Sequence, residues 1–317
     1  MVRIRNRQGR RRASRPVARA ERRRHTITGH QLTSQAPPPI PVWAATDPYP
    51  SFMEVVRHRR SVRKFEPGRR VPRQTLLKIM EAGRWAPSGA NAQPWDFICV
   101  DDDEIRRQVC EAFLRQGARL RRSTERFPAV NKSFLANTVA IILVLGDERF
   151  KSCFPQGADR ASDEYAANNE NIFFCSLGAA IQNIQLATIA CGLTSAWLSG
   201  GGEDQTAEEL REILGFPRSA RPYGTVPIGY PARYPESKWR RPLEQMVHWN
   251  GFDAEQYRPG ELIEHYVSHV RSFAMYRPYE SMEQWDDVDE RLGEFRHAYT
   301  QRVTNPSGVL PQSSPGR

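Results

Sequence analysis

The sequence contains few cysteines, and their arrangement excludes several classes of protein. The five cysteines, Cys99, Cys110, Cys153, Cys175 and Cys191, form no C-x-x-C pair, and no histidine pair stands near them at zinc-finger spacing. An odd number of scattered cysteines also argues against a disulfide framework. We therefore expect no bound metal and a reducing, cytoplasmic environment.

Long apolar runs are also missing from the sequence. No window approaches about 18 uncharged apolar residues, so we expect no membrane-spanning helix. The arginine-rich N-terminus lacks the apolar segment of a secretory signal. There is no G-x-G-x-x-G fingerprint, so nothing predicts a separate dinucleotide-binding domain or distinguishes NADH from NADPH.

The N-terminal region has almost no lysine or acidic side chains, and its arginines account for the net positive charge of the whole chain. Residues 1–46 contain eleven arginines, no lysine and one acid, Glu21, and this accounts for the formal net charge of +10. With Pro37–Pro39 and Pro41, this composition predicts a disordered tail over residues 1–50. The tail is either simply solvated or an electrostatic tether to nucleic acid or an acidic partner, unless the true start codon lies downstream.

The remaining chain predicts an α+β domain over residues 51–250. Ser51 to Glu54 has capping-box spacing and predicts the start of a first helix, and Pro72 predicts the start of a second. Further helices are predicted at 103–120, 163–190 and 206–214, and strands at 95–100, 139–145, 194–198 and 225–229. Residues 251–305 predict a helical C-terminal extension, and residues 306–317 a second disordered tail.

Two basic clusters could bind a phosphate group. Arg59, Arg60, Ser61 and Arg63 offer guanidinium groups and a hydroxyl within five residues, and Lys238 to Pro242 adds more cations near the end of the domain. Such groups hold phosphate by charge-assisted, bidentate hydrogen bonds. Taken alone, however, each cluster is more typical of a solvated surface.

A loop of small and polar residues precedes the first predicted strand. It runs from Ala86 to Trp95 and is bounded by prolines, so its backbone could approach a flat heterocycle closely. Asn91 and Gln93 offer amide donors and acceptors for a pyrimidine-like edge. An ordinary helix-to-strand turn has a similar composition.

In combination, these segments resemble the nitroreductase superfamily of FMN flavoproteins, which includes nitroreductases, flavin reductases and dehalogenase-like members. The resemblance rests on RRSVRKF (59–65), APSGANAQPWDF (86–97), VPIGYPA (226–232) and RRPLEQMVHW (240–249). It implies a central, mostly antiparallel sheet flanked by helices, and an intertwined homodimer. It also implies that FMN is held by Arg59, Arg60, Ser61, Arg63, Pro87, Ser88, Gly89, Asn91, Gln93, Leu198, Ser199, Gly200, Lys238 and Arg240.

Three functions are compatible with this resemblance. The first is NAD(P)H-driven, ping-pong reduction of a small organic acceptor such as a nitroaromatic or a quinone. The second is other flavin chemistry, namely reductive dehalogenation, flavin fragmentation to dimethylbenzimidazole, or dehydrogenation of a natural product. The third is a low-turnover flavin-binding protein that its arginine-rich tail tethers to nucleic acid. Because the flavin supplies the chemistry, no catalytic side chain is predicted.

Overall fold

The structure, a computed structural model, describes residues 47–123, 132–152, 168–235, 243–256, 258 and 260–265. The predicted tails, 1–50 and 306–317, lie outside the described residues except for 47–50. The predicted C-terminal extension is described only up to residue 265. The helices are α1 (Tyr49–His58), α2 (Arg73–Arg84), α3 (Asp103–Ser123), α4 (Asn169–Ala190), α5 (Asp204–Leu214) and α6 (Gly260–His265). The strands are β1 (Trp95–Val100), β2 (Ala140–Asp147), β3 (Thr194–Ser195) and β4 (Ala220–Gly229).

The four strands form one antiparallel sheet in the order β1-β2-β4-β3. The central strand β2 is buried from Ala140 to Gly146, because helices cover both faces of the sheet. This explains why its sequence is a continuous apolar run without alternation. The predicted α+β class and the antiparallel sheet are confirmed.

The core consists of two apolar layers, one on each face of the sheet. Ile142 and Val144 of β2 contact the layer that α2 and α4 supply, whereas Ile141 and Leu143 face α3 and α5. Successive strand residues point to opposite faces, so one buried strand serves both layers. Each fully buried Ile or Leu contributes roughly 1.5–3 kcal/mol through its removal from water.

Helix α4 lies at the centre of the second layer. Its apolar residues include Phe173, Leu177, Ile181 and Ile184, which are buried against the sheet and α2. By length and composition alone the helix could cross a membrane, although no such span was expected from the sequence. Its contacts with α1, α2, β3 and β4 are those of a core helix. The predicted first turns of this helix, 163–167, lie outside the described residues.

Helix α1 begins earlier than the sequence predicted. Its first residue is Tyr49, and Pro48 occupies the N-cap position without a side-chain capping bond. Ser51 therefore lies inside the first turn, and the predicted capping box is wrong. Proline has its backbone φ already fixed near the helical value, which favours a helix start at this position.

Candidate functional site

The first basic cluster follows α1 and lies at the β3 edge of the sheet. Ser61 forms a parallel bridge with Ser195, and the Val62 N–H donates to the Ser195 carbonyl at 2.9 Å. Val62 and Phe65 are buried in the core, whereas Ser61 and Arg63 are exposed. Because successive side chains of an extended segment point to opposite sides, Val62 is buried, whereas the Ser61 hydroxyl and the Arg63 guanidinium stay accessible.

Arg63 is an exposed cation of this segment. Within the described part of the chain, its side chain has no hydrogen-bond or ion-pair partner. Surrounding protein atoms nevertheless desolvate the guanidinium and lower the pKa of Arg63, although the group remains charged at pH 7. A partly desolvated cation without a carboxylate partner gains more from an anionic ligand than a fully solvated one does.

Arg60 links the first basic cluster to the segment that leads into the second. Its Nη1 donates to the Pro235 carbonyl at 2.9 Å, and its guanidinium lies 5.6 Å from the centre of the Tyr234 ring. The Tyr234 hydroxyl in turn donates to the His58 carbonyl at the end of α1. The chain therefore returns to the first cluster immediately before residues 236–242. Lys238 and Arg240 lie in that stretch, outside the described residues, so their predicted roles stay predictions.

The loop between α2 and β1 has a strained backbone. Ala90, Asn91 and Gln93 all have positive φ angles, of 50°, 53° and 47°. Residues other than glycine rarely adopt this conformation, and it concentrates at functional sites. The Gln93 N–H donates to Ser88 Oγ at 2.9 Å, and Gln93 Nε2 donates to Asn91 Oδ1 at 3.3 Å. These bonds hold the loop in one shape before any ligand binds. Pro87 is exposed at its start.

The loop rests on helix α4 through a close contact at Gly89. The Gly89 N–H donates to Ser176 Oγ at 3.3 Å, and Ser176 Oγ itself donates to the Ile172 carbonyl at 2.7 Å. A Cβ atom at position 89 would lie 2.1 Å from Ile172 Cγ2. Glycine is thus required here because the backbone packs directly against the helix. Ser176 is one of the residues that sequence reasoning did not single out.

The stretch from Leu198 to Gly200 follows β3. Leu198 and Thr225 exchange two backbone hydrogen bonds of 2.9 Å, and the Leu198 side chain is buried in the core. Leu198 therefore has its backbone N–H and C=O already paired and its side chain buried, whereas Ser199 is exposed and Gly200 half-buried. All three assignments remain predictions.

Two further features were not found from the sequence. Ser195, which pairs with the first basic cluster, is fully buried, and its Oγ has no hydrogen-bond partner in the described part of the chain. Lys132, Gln116 and Glu203 form a polar cluster next to Gly200. No local pattern marks these three residues, because they are distant in sequence and meet only in the fold. The described residues contain no group of three His, Cys, Asp or Glu that could hold a metal ion.

Comparison with known proteins places this chain in a family. The profile of the Nitroreductase family matches residues 56–230. An iodotyrosine deiodinase of Haliscomenobacter hydrossis is 30% identical over 194 residues, which is 58% of this chain and 79% of the relative. A protein of Archaeoglobus fulgidus, provisionally named an NADH dehydrogenase/NAD(P)H nitroreductase, is 28% identical over 179 residues, which is 56% of this chain and 84% of the relative.

A solved structure agrees on the fold. A BluB-like flavoprotein of Clostridium difficile superimposes with a TM-score of 0.52 at 21% identity, covering 63% of this chain and 98% of the other. The matched residues include the loop on α4 and the first basic cluster at the sheet edge. The chain belongs to the Nitroreductase family of oxidoreductases.

Proposed function

We propose that this protein is an FMN-dependent oxidoreductase that uses NAD(P)H to reduce a small organic acceptor. The observation that carries the proposal is the position of Arg63. Its cationic side chain is exposed, has no partner in the described part of the chain, and lies on the same edge segment as the exposed Ser61. This arrangement fits a phosphate group better than it fits a structural ion pair.

The described residues also suit the remainder of FMN. The loop Ser88–Gln93 presents a pre-formed backbone and two amide side chains, which suits a flat, hydrogen-bonding ring. We assign the phosphate to Arg59, Arg60, Ser61 and Arg63, together with Lys238 and Arg240. We assign the ring to residues 87–93 and 198–200. Bound FMN would supply the redox chemistry by taking two electrons from NAD(P)H and passing them to the acceptor.

We further propose a homodimer in a reducing, cytoplasmic environment. The described residues include exposed apolar side chains, among them Phe174 and Trp197, both close to 40% exposed, and Trp249 at 85%. Exposed apolar side chains that join into a contiguous patch commonly mark a protein–protein interface. In the proposed dimer, the second chain would cover such side chains.

A second candidate is reductive dehalogenation in the same pocket. Several iodotyrosine deiodinases are among the relatives, including the mouse enzyme at 28% identity over 207 residues. The cofactor site would be the same, and the acceptor would be a halogenated aromatic compound. The remaining alternative, a nucleic-acid-tethered flavoprotein, depends on residues 1–46, outside the described part of the chain.

One spectroscopic experiment separates these functions. The purified protein should show flavin absorption, and the colour should bleach when NADH or NADPH is added anaerobically and return with a nitroaromatic or a quinone. Bleaching by dithionite but not by either nucleotide would favour the dehalogenase. A protein that neither retains nor binds FMN would refute the proposal.

A further inference from the structure

A polar cluster lies behind the Gly200–Gly202 turn, at the end of the stretch that we assign to the flavin ring; its Gln116 is buried, Lys132 half-buried and Glu203 exposed. Lys132 Nζ donates to Gln116 Oε1, and Gln116 Nε2 donates to Glu203 Oε2 at 2.5 Å. The same carboxylate oxygen accepts a hydrogen bond of 3.0 Å from the Gly201 N–H. A continuous chain of hydrogen bonds therefore connects the ammonium group to the backbone of the turn.

The ammonium group occupies space that a side chain at position 200 would otherwise need. A Cβ atom on Gly200 would lie 3.0 Å from Lys132 Nζ and 2.9 Å from Gln116 Nε2. On another side, Lys132 Nζ lies 4.9 Å from the centre of the Phe113 ring. Because position 200 is glycine, the positive charge can lie directly behind the backbone of the turn.

The charge at this position depends on pH in the physiological range. Burial lowers the pKa of Lys132 to about 8, and Glu203 opposes that shift. Among the described residues, Cys110 of α3 also contacts Lys132, with its Sγ 3.9 Å from the Lys132 backbone carbonyl oxygen. Burial raises the pKa of the Cys110 thiol, so the thiol is neutral at pH 7. Lys132 is thus mostly cationic at pH 7 and loses its charge as the pH rises above 8.

We propose that Lys132 is a positioning residue of the flavin site, whose ammonium group behind Gly200 favours binding of reduced FMN over oxidised FMN. This inference rests on the proposed function. Reduced FMN carries more negative charge than oxidised FMN, and a fixed positive charge in a partly desolvated site stabilises that charge without reorganisation. Lys132 therefore acts on the cofactor electrostatically and through the turn that it supports.

The test compares the affinity of the protein for reduced and oxidised FMN by measuring the midpoint potential of the bound flavin. Lys132→Met keeps the length of the side chain and removes its charge. We expect this variant to lower the reduced-to-oxidised affinity ratio about tenfold at pH 7, which corresponds to a potential about 30 mV lower for a two-electron couple. At pH 9.5 the variant and the wild type should agree. Lys78→Met, which removes an exposed charge on α2, should leave the potential unchanged.

A second variant keeps the proposal testable if Lys132→Met does not fold. Lys132→Arg stays charged at all these pH values, so it should match the wild type at pH 7 and exceed its affinity ratio about tenfold at pH 9.5. If the wild type binds FMN and neither variant changes the potential at either pH, the role of Lys132 is refuted while the proposed function stands. A wild-type protein that binds no FMN refutes the proposed function itself.

Discussion

The close contact between the loop and helix α4 predicts a specific response to Gly89→Ala. The added methyl group would lie 2.1 Å from Ile172 Cγ2, well inside van der Waals contact. Forcing an extra methyl group into a packed region costs about 1–3 kcal/mol. Because the loop backbone or the Ile172 side chain must shift to relieve the overlap, we expect the protein to lose about that much unfolding free energy and a similar amount of FMN-binding free energy.

The double variant Gly89→Ala/Ile172→Ala separates overlap from other effects of the substitution. Removing the Ile172 methyl groups should restore most of the FMN affinity, so the two changes should be strongly non-additive. Gly178→Ala on α4 is the matched control. Its added Cβ has only an ordinary contact, 3.9 Å from the Trp197 ring, and alanine should stabilise the helix by up to about 1 kcal/mol. Urea unfolding and fluorescence titration with FMN measure both quantities. A Gly89→Ala protein with wild-type stability and affinity would refute the close packing of this loop.

Three other predictions follow from the same structure. Arg63→Ala should weaken FMN binding by about 1.5–3 kcal/mol in equilibrium titration. The control Arg57→Ala, at an exposed position on α1, should leave FMN affinity unchanged. If both variants bound FMN equally well, the phosphate assignment would be in error. Deleting residues 1–46 should leave flavin content and reductase rate unchanged, and a loss of either would make the tail part of the enzyme. Tyr223→Phe removes a 2.7 Å hydrogen bond to Glu148 and should lower the unfolding free energy by about 1.5–3 kcal/mol; unchanged urea unfolding would contradict this.

The sequence predicted those elements best whose signals are local. Strand β1 has the predicted bounds, Trp95–Val100, and helix α2 begins directly after Pro72. The strands near the candidate site differ more from their predicted bounds. The predicted strand 194–198 is regular only over Thr194–Ser195, because the chain leaves the ladder before Leu198 pairs again with Thr225.

Strand β4 is longer than predicted for a reason that only pairing with its neighbour reveals. It begins at Ala220 and contains Pro222 and Gly224, residues that disfavour strands. A bulge opposite Val144 and Leu145 accommodates them by shifting the register. Tertiary pairing therefore overrides the local preference of these residues.

The sequence revealed the motifs of the candidate site, but it did not reveal the residues that hold those motifs in place. The basic cluster, the loop and the late basic segment stand out because each is contiguous in sequence. The supports come from distant positions: Ser176 under the loop, Ser195 beside the basic cluster, and Lys132 with Gln116 behind Gly200. Single Ser, Gln and Lys residues carry no pattern, so their roles depend on contacts that only the fold creates.

A crystal structure of the protein with FMN bound tests the proposed flavin site most directly. We expect the phosphate to accept hydrogen bonds of roughly 2.7–3.2 Å from Arg63 and Ser61, with the isoalloxazine ring beside Gly89 to Gln93. An FMN phosphate that contacts neither Arg63 nor Ser61, or a ring bound away from this loop, would contradict the assignment.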